Sequence, residues 1–127
     1  MGFQWLLIAA SGDPNILDPD NGKQLDAYNY SIPLEVTPAV LSSRLLGSAP
    51  APVLDILTTQ NVTMNNHHYG IYTQHFQTTS SLTSFFNLLS VNSDRQGVEF
   101  VSTIEAFDYP IYGTQVYPYP HTHSPLI

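Results

Sequence analysis

The apolar positions of this chain change spacing along its length, and each change marks a different element. Phe3, Leu6, Leu7 and Ala10 fall at i, i+3, i+4 and i+7, one face of a helix, and Gly12 and Pro14 supply its stop signals. Asp13 to Tyr30 is rich in Asp, Asn, Gly and Pro, holds the turn signal Asn21-Gly22, and reads as a surface loop. Pro50-Ala51-Pro52 leads into Val53–Leu57, a short helix whose first turn is where proline is tolerated. Leu82, Phe85, Phe86 and Leu89 repeat the helical spacing, with Ser80 or Ser81 as cap.

After a turn at Asp94 to Gly97, Val98–Ile104 alternates as a strand. It is expected to return through Glu105–Tyr109 into a last run, Tyr109 to Tyr119, as a hairpin with a wide loop. Pro110 and Pro118 bracket that run. Its apolar groups fall on both alternation sets, Ile111 and Tyr117 on one and Tyr112 and Val116 on the other, as in a strand covered on both faces of an α/β protein. Gly113 within it marks a close backbone approach or a bulge. Residues 119–127 show no periodicity and read as an irregular tail, and the chain holds no internal repeat.

Composition narrows the function classes. At 127 residues and 43 % apolar content the chain fits one domain with a real core. Three basic against ten acidic residues give a net charge of −7, which argues against nucleic acid and against anionic membrane surfaces. No apolar run approaches the roughly 18 residues of a membrane span. Trp5–Ala10 is too short an apolar core for a signal peptide and lacks a positive flank, so it is expected to belong to the fold. The absence of cysteine removes disulfides, thiolate metal sites and a cysteine nucleophile together.

The remaining chemistry-bearing residues are few. His67-His68 and His121-Thr122-His123 invite a metal reading, but adjacent histidines on a strand point to opposite faces and no well-spaced carboxylate accompanies them. The tyrosines at 109, 112, 117 and 119 suit core and rim packing better than a stacking platform, and no glycine-rich phosphate loop is present. No metal and no cofactor is therefore expected. Asn29-Tyr30-Ser31 and Asn61-Val62-Thr63 are sequons, so Asn29 and Asn61 are glycosylation candidates in a secretory setting.

Several ordered motifs go further. Tyr109-Pro110-Ile111-Tyr112-Gly113-Thr114-Gln115-Val116-Tyr117-Pro118-Tyr119 resembles the final catalytic strand of the γ-glutamyl hydrolases, Y-P-[VI]-[YT]-G-x-Q-W-H-P-E, within the class I glutamine amidotransferase-like superfamily. Asn61–His67 resembles the family's N-x-T-x-N-x-H, Ser43-Arg44-Leu45-Leu46 its S-R-[LM]-F, Phe85–Leu89 its F-F-x-[VIL]-L, and Glu99–Thr103 its E-F-[IV]-S-T. Ser31–Thr37 resembles the family strand P-L-x-F-T, and Gly2-Phe3-Gln4 the end of the nucleophile motif G-T-C-L-G-F-[EQ], whose cysteine would fall one residue before Met1.

The resemblance implies a partial α/β domain of the glutamine amidotransferase-like, flavodoxin-like class: residues 1–118 as its C-terminal portion, about half of a family member, with a mixed sheet and flanking helices. It implies hydrolysis of γ-glutamyl bonds of folate polyglutamates by a Cys–His pair, and a secreted or lysosomal/vacuolar setting, although no signal peptide is recognised here. This chain departs from the pattern where the chemistry lies. Tyr117 stands at the family's base histidine and Tyr119 at its orienting acid, so no catalytic residue is intact and an inactive protein is expected. The alternatives are a non-catalytic binding module that uses the old cleft, or an active hydrolase truncated by an internal start codon. His67 is the retained cleft candidate. The expected partners are a γ-glutamyl or folate polyglutamate ligand and, through an uncovered sheet edge, a protein partner or a second copy.

Overall fold

The computed structural model describes residues 2–17 and 24–116. Helix α1 (Gly2–Ser11) forms where the spacing predicts it, burying Phe3 and Leu7. Gly12 ends it at φ +69, the left-handed conformation that a helix C-terminus favours, and donates its N–H to Ile8 O at 2.9 Å. Strand β1 (Ala27–Ile32) follows, then β2 (Glu35–Val36), and a 3₁₀ turn at Pro38–Ser42. Helix α2 (Ala51–Thr59) begins on its prolines, as expected. Strand β3 (Thr63–His67), the short helices α3 (Thr73–Thr78) and α4 (Ser80–Thr83), and strands β4 (Phe86–Ser93), β5 (Glu99–Ala106) and β6 (Tyr112–Thr114) complete the order.

The architecture is α/β, with the strands divided between two sheets. One pairs β1 with β3, and the other runs β2-β4-β5-β6. Every ladder among the described residues is antiparallel, where a mixed sheet was expected. β4–β5 and β5–β6 are hairpins, which need no crossover, and β1–β3 is closed antiparallel by the longer connection through β2 and α2. The predicted hairpin with a wide loop is present: Thr103 pairs with Thr114, Ile104 with Gly113 and Glu105 with Tyr112.

Four local readings are corrected. The helical spacing of Leu82, Phe85, Phe86 and Leu89 is divided between α4 and β4. Register shifts around Leu88–Val91 break the alternation, so Phe86 and Leu89 are both buried three positions apart on a strand. The predicted loop over Asp13 to Tyr30 ends in β1 and buries Ile16, Leu25 and Ala27. Among the described residues of the last run, strand covers only Tyr112–Thr114, and at the end of the described strand order it leaves Tyr112 39 % exposed instead of covered on both faces. The expected strand over Ser31–Thr37 is interrupted by Pro33 between β1 and β2. The Asn21-Gly22 turn lies outside the described residues.

The core packs α1 and α4 onto one face of the larger sheet, around Leu7, Phe76, Leu82, Phe86, Val101 and Ile104. Gly113 is the close approach its sequence position suggested. A Cβ there would lie 3.0 Å from Ile104 Cγ1, 3.0 Å from Leu6 Cδ1 and 3.1 Å from Phe3 Cδ2. Gly113→Ala is expected to lower stability by about 1–3 kcal/mol through overpacking. Urea unfolding checks this, and an unchanged midpoint would mean that α1 rides freely on β6.

Two polar clasps fix the connections. The Asp94 carboxylate accepts the backbone N–H groups of Asp26, Gln96 and Val98, each at 2.9 Å, tying the β4–β5 turn to the start of β1. Arg95 beside it donates to the carbonyls of Tyr28 and Asn29 and covers the Tyr30 ring. Across the molecule, Arg44 donates to the carbonyls of Ala106, Phe107 and Tyr109, while Glu105 accepts the N–H groups of Arg44 and Leu45. Helix α2 contrasts with all of this: it has no buried residue, and its backbone tie to the rest of the fold is Leu34 N–H to Leu57 O at 2.7 Å.

Candidate functional site

Of the four buried polar atoms that lack partners among the described residues, Gln4 Oε1 lies on α1. The other three belong to β3, the segment after it and the end of β6, which meet the first half of β5. Phe100 receives the His67 ring edge-on, with centroids 5.0 Å apart. Val101 N–H donates to Ile71 O at 3.0 Å, and Gln115 N–H donates to Ser102 O at 2.8 Å. Gly70 opens the space between them. A Cβ there would meet Leu25 Cδ1 at 2.9 Å, Gln115 Oε1 at 3.7 Å and His67 Cε1 at 3.8 Å. The imidazole and the Gln115 amide therefore face one point.

His67 is 7 % exposed, with Nδ1 3.1 Å from Tyr69 O and Nε2 3.0 Å from the side-chain oxygen position of Asn65. Burial lowers its pKa to about 4, against the smaller opposing effect of the Tyr69 carbonyl and with a further lowering contribution from His68. Because the unfolded chain takes up this proton near pH 6.5 and the folded chain only near 4, the contribution is complete above pH 6.5 and is lost as pH falls through that window. The loss is expected to reach about 3 kcal/mol by pH 4. Urea midpoints measured against pH should show it, and His67→Gln should flatten that segment of the profile.

Asn65 Nδ2, Thr73 Oγ1 and Gln115 Oε1 are buried without hydrogen-bond partners. Sequence reasoning gave none of these three a role. Asn65 and Gln115 do stand inside the matched motifs, as the second Asn of N-x-T-x-N-x-H and the Gln of Y-G-x-Q, and that was the available signal. Thr73 had none. Among the described residues no group of three or more His, Cys, Asp or Glu is placed to hold a metal ion, and no helix is long and apolar enough to cross a membrane.

Of the other predicted residues, Asn29 and Asn61 are not brought to this point. Tyr117 and Tyr119 lie outside the described residues, as do His121 and His123. Asn29 is exposed on β1 at φ +50, its N–H held by Asn66 Oδ1 and its carbonyl by Arg95. Asn61 is exposed between α2 and β3, and the Thr63 hydroxyl of its sequon is buried against Ile32 O.

No family model matches the chain. It is similar to γ-glutamyl hydrolase B of Dictyostelium discoideum, 43 % identical over 93 residues, which are 73 % of this chain and 27 % of that protein. It is 33 % identical to mouse γ-glutamyl hydrolase over 118 residues, 93 % of this chain and 35 % of the relative. Probable γ-glutamyl hydrolase 3 of Arabidopsis thaliana is 29 % identical over 119 residues, 93 % of this chain and 32 % of the relative. Helices packed on sheets and these relatives together define an α/β protein of the glutamine amidotransferase-like class. Within that class the chain is a homologue of the γ-glutamyl hydrolases, with a match consistent with their C-terminal part. It spans about a third of the length of these curated relatives, less than the half its motifs suggested.

Proposed function

We propose that this chain is a γ-glutamyl hydrolase-like module that performs no hydrolysis of its own. The observation that carries this reading is Tyr117, at the motif position of the family's base histidine in a chain without cysteine. Attack on a γ-glutamyl amide by a cysteine hydrolase needs a thiolate and an imidazole to take and return the proton. A free phenol, with a pKa near 10, is only about 0.1 % ionised at pH 7 and cannot stabilise a thiolate as an ion pair. Tyr119 likewise puts a neutral group where the pattern has an acid.

His67 supports the same reading. Both of its ring nitrogens are engaged, and burial keeps it neutral at pH 7. The test is incubation of the purified chain with a folate polyglutamate, with released glutamate as the readout. No release above the buffer control is expected, and any sustained turnover overturns the proposal.

A second reading keeps the old cleft as a binding site for a γ-glutamyl ligand. Its support is the set of buried, unpartnered polar atoms on Asn65, Thr73 and Gln115. Against an anionic ligand stand the net charge of −7 and the commitment of Arg44 and Arg95 to backbone carbonyls. Calorimetric titration with folate polyglutamates distinguishes the two, since heat at micromolar to millimolar ligand would support the binding module. Any partner protein or second copy would be taken up through exposed strand edges and the bare face of α2. A secreted or lysosomal setting, with Asn29 or Asn61 carrying glycan, belongs to the same proposal.

A further inference from the structure

The surroundings of His67 contain a mismatch that chemistry must resolve. Nδ1 faces the Tyr69 carbonyl at 3.1 Å, and Nε2 faces the Asn65 Oδ1 position at 3.0 Å. Two oxygen acceptors can both be satisfied only by a ring protonated on both nitrogens. A neutral imidazole has one N–H and one lone pair, so one of these contacts would set acceptor against acceptor. Beyond those two oxygens, the groups around the ring offer no counter-charge to a charged form. From β5 comes Phe100, from the segment before β1 Leu25, and from the end of β6 the neutral Gln115. The neighbouring titratable group is His68, whose ring stacks on Tyr28 at 5.3 Å and whose charge would oppose a second one.

A main-chain carbonyl cannot exchange its role, whereas a side-chain amide does so by turning through 180°. Asn65 is completely buried, and its Nδ2 has no partner. Turning the amide places that orphaned donor on the ring lone pair and removes the contact of acceptor with acceptor, leaving Oδ1 in the place Nδ2 had. We propose that Asn65 is the positioning residue of His67: its amide N–H donates to Nε2, which fixes the ring as the Nδ1–H tautomer and occupies the nitrogen that would otherwise be free for proton transfer or ligand binding.

The inference concerns the histidine of the proposed cleft but requires no ligand and no catalysis. A negative ligand titration therefore leaves it standing. It also explains why Asn65 and His67 occur two residues apart on β3, where both side chains lie on one face of the strand.

The test is a long-range proton–nitrogen correlation spectrum of the ¹⁵N-labelled full chain at pH 7. His67 is expected to show a protonated Nδ1 and an unprotonated, hydrogen-bonded Nε2. A protonated Nε2, alone or together with Nδ1, overturns the proposal. Two variants sharpen it. Asn65→Asp puts a carboxylate opposite Nε2 and is expected to raise the His67 titration midpoint by about 1–3 pH units. Asn65→Ser frees the nitrogen and is expected to remove the hydrogen-bonded shift of Nε2, while the Tyr69 carbonyl keeps the proton on Nδ1. An unaltered His67 titration in a folded Asn65→Asp protein, or an unaltered Nε2 shift in Asn65→Ser, would reduce Asn65 to a packing residue. If neither variant folds, the wild-type spectrum decides alone.

Discussion

Restoring the imidazole by Tyr117→His is expected to leave γ-glutamyl hydrolysis at the level of the buffer control. The groups of such a site act as a unit. Losing the nucleophile or the base alone in a triad hydrolase lowers turnover by about a million-fold, nearly as much as losing every member. A histidine at 117 would regain a base with no thiol to deprotonate, because none of the 127 residues is cysteine. The wild-type chain lacks both groups, so the two proteins should be indistinguishable in released glutamate. A Tyr117→His protein that turns over would show that another nucleophile has been recruited. Treatment with a thiol alkylating reagent separates such activity from a contaminating cysteine hydrolase, since only the contaminant loses activity.

The largest expected effect on stability comes from Asp94. Its carboxylate is 5 % exposed and satisfies three backbone N–H groups drawn from two separate parts of the chain. Asp94→Ala strands all three donors, and leaving buried donors unpaired costs about 1–3 kcal/mol apiece when water cannot reach them. Partial hydration and relaxation of the exposed Gln96 end bring the expected total to about 3–5 kcal/mol, a large part of the stability of a small domain. Asp94→Asn is the graded control. It keeps one oxygen for Gln96 and Val98 and turns an NH₂ toward Asp26 N–H, so about 1–2 kcal/mol is expected. Urea denaturation of the three proteins checks the order. Equal losses in both variants would mean that the tie to β1, and not the turn, is what the carboxylate holds.

Much of the fold was legible because its signals are local. Helix α1 has both its spacing and its glycine stop, α2 has its prolines, and the β5–β6 hairpin has alternation with Gly113 inside. Failures fell where a distant partner decides. The shifts between Leu88 and Val91 give a strand the burial spacing of a helix, and they become visible only opposite β5. Strand β1 emerges from a loop-like composition because β3 is there to pair with it.

The site divides in the same way. His67 could be picked out from a motif, and the proposed loss of catalytic groups rests on Tyr117 and the missing cysteine. The part played by Asn65 could not be, since it depends on which atom of one side chain meets which nitrogen of another. Gln115 looked like one letter of a strand signature until its amide oxygen proved to be buried and unpartnered.

Helix α2 gives the molecule an uneven resistance to opening. Nine residues are near or below the length at which a helix persists unaided, and this one contributes no side chain to the interior. Releasing it sacrifices little more than the bond from Leu34 to Leu57. Its amide protons should therefore exchange with solvent through brief local fraying, long before those of β4 and β5, whose release demands that the whole sheet come apart.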